Sequence, residues 1–229
     1  MKTILLTIGL AGTLALNAAA TTVNWYSDLV NTTVADNSSA GSTFSTATSG
    51  SWNGTWASGS TIEGINVYLN ISGGYNGDLY GYLVYNDGTT TRTEILLNRI
   101  GGGNLAAAGS GFGSGTDAGS FTSLQAVGVR ISDTGSAING VTPGAATAVA
   151  SGNYTPDSAA TFASTFNNLN SGGTWTLFLA DLATGDQSTL VNWGLDITVV
   201  PEPATWALII FGVLAGGTAT MRRVRRAMV

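Results

Sequence analysis

Residues 173–199 read GTWTLFLADLATGDQSTLVNWGLDITV, and their pattern decides the fold. Trp175, Leu177 and Leu179 alternate with Thr174, Thr176 and Phe178; further on, Trp193, Leu195, Ile197 and Val199 alternate with Asn192, Gly194, Asp196 and Thr198. A period of two in residues rich in Trp, Thr and Val is the signature of half-buried strands. Thr184-Gly185-Asp186 between them is a turn signal. The same alternation recurs upstream. Ile65, Val67, Leu69 and Ile71 oppose Asn66, Tyr68 and Asn70, and Leu79, Leu83 and Tyr85 share a face with Gly81 between them. Asn76-Gly77-Asp78 and Asn86-Asp87-Gly88 separate these runs, and no long amphipathic helix pattern interrupts them. The expectation is an all-β domain, an antiparallel β-sandwich of jelly-roll type.

One stretch departs from this pattern. Gly101–Ser120 holds eight glycines in twenty residues. It has too little apolar surface to offset its backbone entropy and is expected to be a long loop between strands.

Composition removes whole classes of chemistry. The 229 residues include no His and no Cys. A Ser-His-Asp or Cys-His nucleophile is therefore excluded, as are ordinary zinc, haem and iron–sulfur ligation and any disulfide. The formal charge of −5 is a sum over unlike parts. Between Thr21 and Val200 stand three arginines against twelve acids, a net of −9. Such a body has no basic surface for nucleic acid.

The ends carry the remaining positive charge. Lys2 precedes the apolar run Ile4–Leu16, and Ala18 and Ala20 supply the small residues of a cleavage site after Ala20. This is the plan of a secretory signal peptide over residues 1–20, to be cut by signal peptidase. At the other end Ala204–Met221 is 18 residues without a charge, followed by Arg222, Arg223, Arg225 and Arg226. That length can just span a bilayer as a helix, with the arginines held on the cytoplasmic side.

Pro201-Glu202-Pro203 stands immediately before the apolar run. Pro-Glu-Pro, a hydrophobic helix and a basic end, in that order over residues 201–229, resemble the PEP-CTERM sorting signal. The resemblance implies a Gram-negative bacterium and processing by an exosortase-type membrane protease. The chain would be anchored in the inner membrane before processing. The body would then pass to the cell surface or the extracellular polysaccharide matrix.

The body, residues 21–200, carries a second resemblance over 61–199. Ile71-Ser72-Gly73-Gly74-Tyr75-Asn76-Gly77-Asp78-Leu79, running on to Asp87-Gly88-Thr89, is similar to the Gly-Asp-Leu strand and Gly-Thr turn of the P domain of proprotein convertases. Gly173-Thr174-Trp175-Thr176-Leu177, Asp181, Gly185-Asp186, Leu190, Trp193 and Leu195 resemble that family's final hairpin. Gly73 and Gly74 stand where the family often has a His, Tyr85-Asn86 replaces its Ser-Pro, and the Gly-rich stretch resembles an insertion. The resemblance implies a jelly roll that accompanies a protease, but this chain lacks the His a subtilisin-type triad needs.

Two ligand chemistries fit what remains. Calcium takes hard oxygen ligands, and Asp78, Asp87, Asp133, Asp181 and Asp186 lie at or near turns; the same residues also serve simply to cap turns. Exposed aromatic faces suit sugar rings. Trp52 and Trp56, amid Gly, Ser and Asn, and Tyr80 and Tyr82, beside Asp78, are the candidates, with core packing as the other fate of such rings. The expected function is thus a non-catalytic envelope or matrix protein with a structural or adhesive sandwich. One alternative is a calcium-dependent carbohydrate-binding module acting on exopolysaccharide, and another is an uncharacterised hydrolase. For the hydrolase, no spacing singles out a pair of acids.

Overall fold

Two β-sheets face each other across one hydrophobic core in the computed structural model. It describes residues 19–27, 30–48, 50–57, 59–100, 128–140, 149–185 and 187–201. Ala20–Pro201 forms a compact unit of its own. The signal segment up to Ala18, the Gly-rich stretch and the sorting segment from Glu202 lie outside the described residues. Ala20 is described and exposed. Among the described residues no helix is long and apolar enough to cross a membrane.

The strands are β1 (Thr21–Tyr26), β2 (Thr32–Thr33), β3 (Ser38–Ser45), β4 (Ser51–Asn53), β5 (Ser60–Gly73), β6 (Leu79–Asn86), β7 (Thr91–Asn98), β8 (Val129–Ala137), β9 (Asn153–Thr155), β10 (Thr174–Asp181) and β11 (Ser188–Pro201). The larger sheet runs β4-β1-β11-β5-β8-β9, with β2 also on β11; the smaller runs β3-β10-β6-β7. Pairing is antiparallel except between β8 and β9. A helix of five residues, α1 (Phe162–Phe166), is capped at Thr161. The all-β expectation holds.

Strand β11 is the spine. It pairs with β5 from Ser188↔Gly73 to Pro201↔Ser60 and with β1 from Thr21↔Val199 to Tyr26↔Gly194. Its inward face is the one the alternation marks: Trp193, Leu195 and Ile197 are fully buried. Trp175, Leu177, Leu179, Leu83 and Tyr85 oppose them from the smaller sheet and belong to the same core cluster. Trp25 packs on Trp193 with ring centroids 4.7 Å apart, and Trp175 sits between Tyr85 (4.9 Å) and Phe166 (5.1 Å). The indole N–H groups of Trp25, Trp175 and Trp193 find no acceptor among the described residues. Each such orphan costs about 1–3 kcal/mol, a cost offset by the apolar area these rings bury.

Two features differ from the sequence pattern. First, Gly173–Leu195 is not a hairpin: β10 and β11 lie in different sheets, so the Thr184-Gly185 connection crosses from one layer to the other. Core-facing residues at the same phase on both strands read alike whether the strands pair or stack. Second, the outward face of β5 and β11 is also covered. Tyr68, Asn70, Asn192 and Asp196 are buried, and Asp196 accepts hydrogen bonds from the hydroxyls of Tyr26 and Tyr68 at 2.7 Å each. Burial of the Asp196 carboxylate there is tolerated because the two tyrosine hydroxyls pair with it.

Candidate functional site

One end of the sandwich collects acids. Strand β5 ends at Gly73 and Gly74, both at positive φ (68° and 65°), and turns into a 3-10 segment, Asn76–Asp78. Only glycine fits position 74, since a Cβ there would stand 1.9 Å from Ser188 Oγ and 2.8 Å from its backbone nitrogen. The turn delivers Asp78 to the start of β6, where Leu79 pairs with Asp181 of β10 and the Leu182 N–H donates to the Asp78 carbonyl (2.9 Å). Asp78 and Asp181 are thereby brought together, 1 % and 0 % exposed. Asp36, from the β2–β3 connection, joins them electrostatically and accepts the Gly185 N–H at 3.3 Å.

The electrostatics of this end are unfavourable to two negative charges. Burial pushes the Asp78 carboxyl above its ordinary value; Arg99 opposes that shift and Asp36 adds to it. Burial likewise raises Asp181, against the Ala183 and Ser188 backbone N–H groups, and the charges of Asp78 and Asp36 raise it further. Arg99 donates through Nε to the Gly77 carbonyl (3.1 Å). Oδ1 of Asp78, Oδ2 of Asp181, Oδ1 of Asp36 and Oγ of Ser188 are buried and have no hydrogen-bond partner among the described residues. Among the described residues no three acidic side chains stand as a ready-made metal-ligating group.

The other aspartates predicted from sequence are placed elsewhere. Asp87 closes the β6–β7 turn, accepting from the N–H groups of Thr90 (2.7 Å) and Thr89 (2.9 Å) and from the Thr89 hydroxyl (2.8 Å). Those bonds, Thr90 first, hold its carboxyl down at about 2. Asp133, on β8, reaches the first turn of α1, where its two oxygens accept from the N–H of Phe162 (2.6 Å) and Ala163 (2.8 Å). Asp186 lies outside the described residues. Of the predicted aspartates that are described, only Asp78 and Asp181 share a site, and Asp36 joins them.

The aromatic candidates also divide. Trp52 and Trp56 meet edge to face at 4.8 Å and pack, half-buried, against the core near Trp25. Tyr80 and Tyr82 lie on the outer face of the smaller sheet. Tyr82 is stacked on Phe178 with centroids 4.5 Å apart and planes at 14°, and Tyr80 flanks Tyr82 at 6.0 Å. Cross-strand register continues this row from Ile95 through Tyr82 and Phe178 to Thr43. The Phe178 ring leans over Gly41, where a Cβ would stand 2.4 Å from it. Phe178 was legible: the alternation that sends Trp175, Leu177 and Leu179 inward sends it outward. On the opposite sheet a cavity of about 240 Å³ is lined by Tyr68, Arg130, Gly152 and Asn153. That is below the roughly 300–1,000 Å³ of small-molecule clefts. Arg130 there is tied to Asn153 at 3.1 Å.

No family model and no curated protein matches the chain. Among solved structures it is similar to a serine protease of Aeromonas sobria in two crystal structures. In the complex with the chaperone ORF2 the TM-score is 0.45 at 14 % identity, covering 80 % of this chain and 28 % of that one. In the crystal structure of the serine protease it is 0.39 at 16 %, covering 79 % and 27 %. This chain spans little more than a quarter of the length of either.

Proposed function

We propose that the protein is a non-catalytic, exported envelope or matrix protein whose jelly-roll-like sandwich has a structural or adhesive role. The observation that carries this reading is how its acids are used. Asp87, Asp133 and Asp196 are taken up by turn, helix and sheet hydrogen bonds, and a chain without His or Cys has few other groups for chemistry. Export and sorting rest on the sequence. Signal peptidase would act after Ala20, and an exosortase-type protease near Pro201-Glu202-Pro203, ahead of the apolar run and the arginine cluster. The double variant Pro201→Ala/Glu202→Ala should then accumulate as an unprocessed, membrane-bound precursor. Unchanged processing and localisation would sink the sorting claim.

A second reading has its own observation. The Tyr82–Phe178 stack, with Tyr80 edge-on beside it, gathers three aromatic rings and two phenol hydroxyls on an outer sheet face. Ring surface left open in such a cluster is suited to packing against the apolar faces of sugar rings. Retention of the protein on the host's exopolysaccharide, lost in Tyr82→Ala and Phe178→Ala, would favour a carbohydrate-binding module. A protein that passes through unretained is the structural module of the first reading.

A further inference from the structure

We propose that the acidic end of the sandwich is a calcium site. Asp78 Oδ1 and Asp181 Oδ2 are its carboxylate ligands, and Asp36 is the outer charge that completes its field. The inference rests on neither functional reading above.

Its first support is the pairing of burial with lack of partners. Two carboxylates, 1 % and 0 % exposed, stand at the end of the 3-10 turn before β6 and at the end of β10, and among the described residues each has an oxygen that meets no donor. An unpaired buried carboxylate is strongly unfavourable unless a positive charge meets it. Protonation would relieve the charge, but a neutral carboxyl brings an O–H that needs an acceptor. Neither free oxygen makes a hydrogen bond to the other residue or to anything else described. Among the described residues Arg99 is the cation acting on Asp78, and its Nε donates to the Gly77 carbonyl. A second, non-acidic orphan stands at the same end: the Ser188 hydroxyl, wholly buried and unpaired, on the residue whose N–H supports Asp181.

The second support is topology. Three connections meet here: β2–β3 through Asp36, β5–β6 through the 3-10 turn, and the crossover from β10 to β11. A divalent ion bound to Asp78 and Asp181 would tie the end of the β5–β6 turn to the end of β10, where the chain leaves for the other layer. The donor chemistry selects the ion. All the groups are hard oxygens, and the chain has no His or Cys, which disfavours zinc and copper. Two carboxylates completed by loop carbonyls and water match the irregular 6–8-fold shell of calcium better than the strict octahedron of magnesium.

The test uses the full chain purified in detergent and stripped with EGTA, with calcium chloride alone as the probe and magnesium chloride as the comparison. Extracellular calcium modules bind in the range of about 10⁻⁴–10⁻³ M. At about ten times such a constant the melting temperature should rise by roughly 3–6 °C, and magnesium should give less. Asp78→Asn and Asp181→Asn should abolish the shift, yet in EGTA melt no lower than the parent, because each removes a buried charge. Asp87→Asn should keep the full shift. Asp36→Asn, at a half-exposed position that tolerates change, should weaken the calcium midpoint several-fold, which keeps the test intact if either buried variant does not fold. No shift in the parent, or an undiminished shift in the Asp36 variant and in every buried variant that folds, would overturn the proposal.

Discussion

Replacing Asp133 by Ala should destabilise the sandwich by about 2–3 kcal/mol without touching any ligand. Asp133 is the link between β8 and α1. Its two oxygens accept from the Phe162 N–H at 2.6 Å and the Ala163 N–H at 2.8 Å. Hydrogen bonds to a charged acceptor contribute about 1.5–3 kcal/mol each. The two bonds are unequal, however. Ala163 is exposed and its N–H can turn to water, whereas Phe162 is 1 % exposed and its ring lies in the core. Thr161 still caps Ser164 in the variant, so the helix is weakened at its first turn rather than lost. The larger share of the loss therefore comes from the Phe162 N–H. For a body of this length 2–3 kcal/mol corresponds to a fall in melting temperature of roughly 4–12 °C. Urea unfolding followed by Trp fluorescence, with Trp175 packed against Phe166, reads it directly. The loss should be the same in EGTA and in calcium. A change under about 0.5 kcal/mol would refute the capping role. A loss seen only in calcium would return Asp133 to the list of metal ligands.

Two further outcomes follow from single positions. Gly74→Ala should destabilise far more than Gly88→Ala, although both sit at positive φ (65° and 89°). The first puts a Cβ 1.9 Å from Ser188 Oγ, while the second meets nothing within 4 Å and incurs only the backbone penalty of about 1–2 kcal/mol; parallel thermal melts with equal losses would contradict this. Stability should also respond to pH in opposite senses at the two ends of β6. Asp87, held near 2 against an ordinary 3.8, stabilises the fold above its unfolded value, a contribution lost as pH falls from about 4 through about 2. Asp78 and Asp181 are raised, so in EGTA their burial penalty is relieved as pH falls from their folded values towards 3.8, and stability rises there. Asp78→Asn should remove part of that rise and Asp87→Asn part of the acid loss, measured as melting temperature against pH.

Local chemistry made half of the fold legible. The alternation at 193–199 names the inward face of β11, and that of 65–71 the inward face of β5, because a strand packed on one core must present every second side chain to it. The turn at Asn86-Asp87-Gly88 was readable for a similar reason: Asp87 gathers the N–H groups of Thr89 and Thr90 from within its own turn. What was not legible is set by residues distant in sequence. Trp175 and Trp193 carry the same phase whether their strands pair or stack, so the assignment of β10 and β11 to different sheets has no local signal. Asp196 reads as a solvent-facing residue until Tyr26 and Tyr68 arrive from β1 and β5 to donate to it.

The acidic end carries that argument to the site. Read singly, each Asp beside a Gly or Asn is a turn residue, and Asp87 and Asp133 are used in just that way. Asp78 and Asp181 differ because of what lies behind them. Gly74 lets Ser188 approach so closely that the turn folds inward, and the β6–β10 ladder then fixes two carboxylates out of contact with bulk solvent. Sequence can nominate oxygen ligands by type, but burial separates a cap from a ligand, since a cap consumes its lone pairs on nearby N–H groups and a ligand leaves them unspent. By that criterion the five aspartates marked by sequence reduce to two among the described residues. Asp36 joins them as a third because a crossover between layers places its loop against theirs.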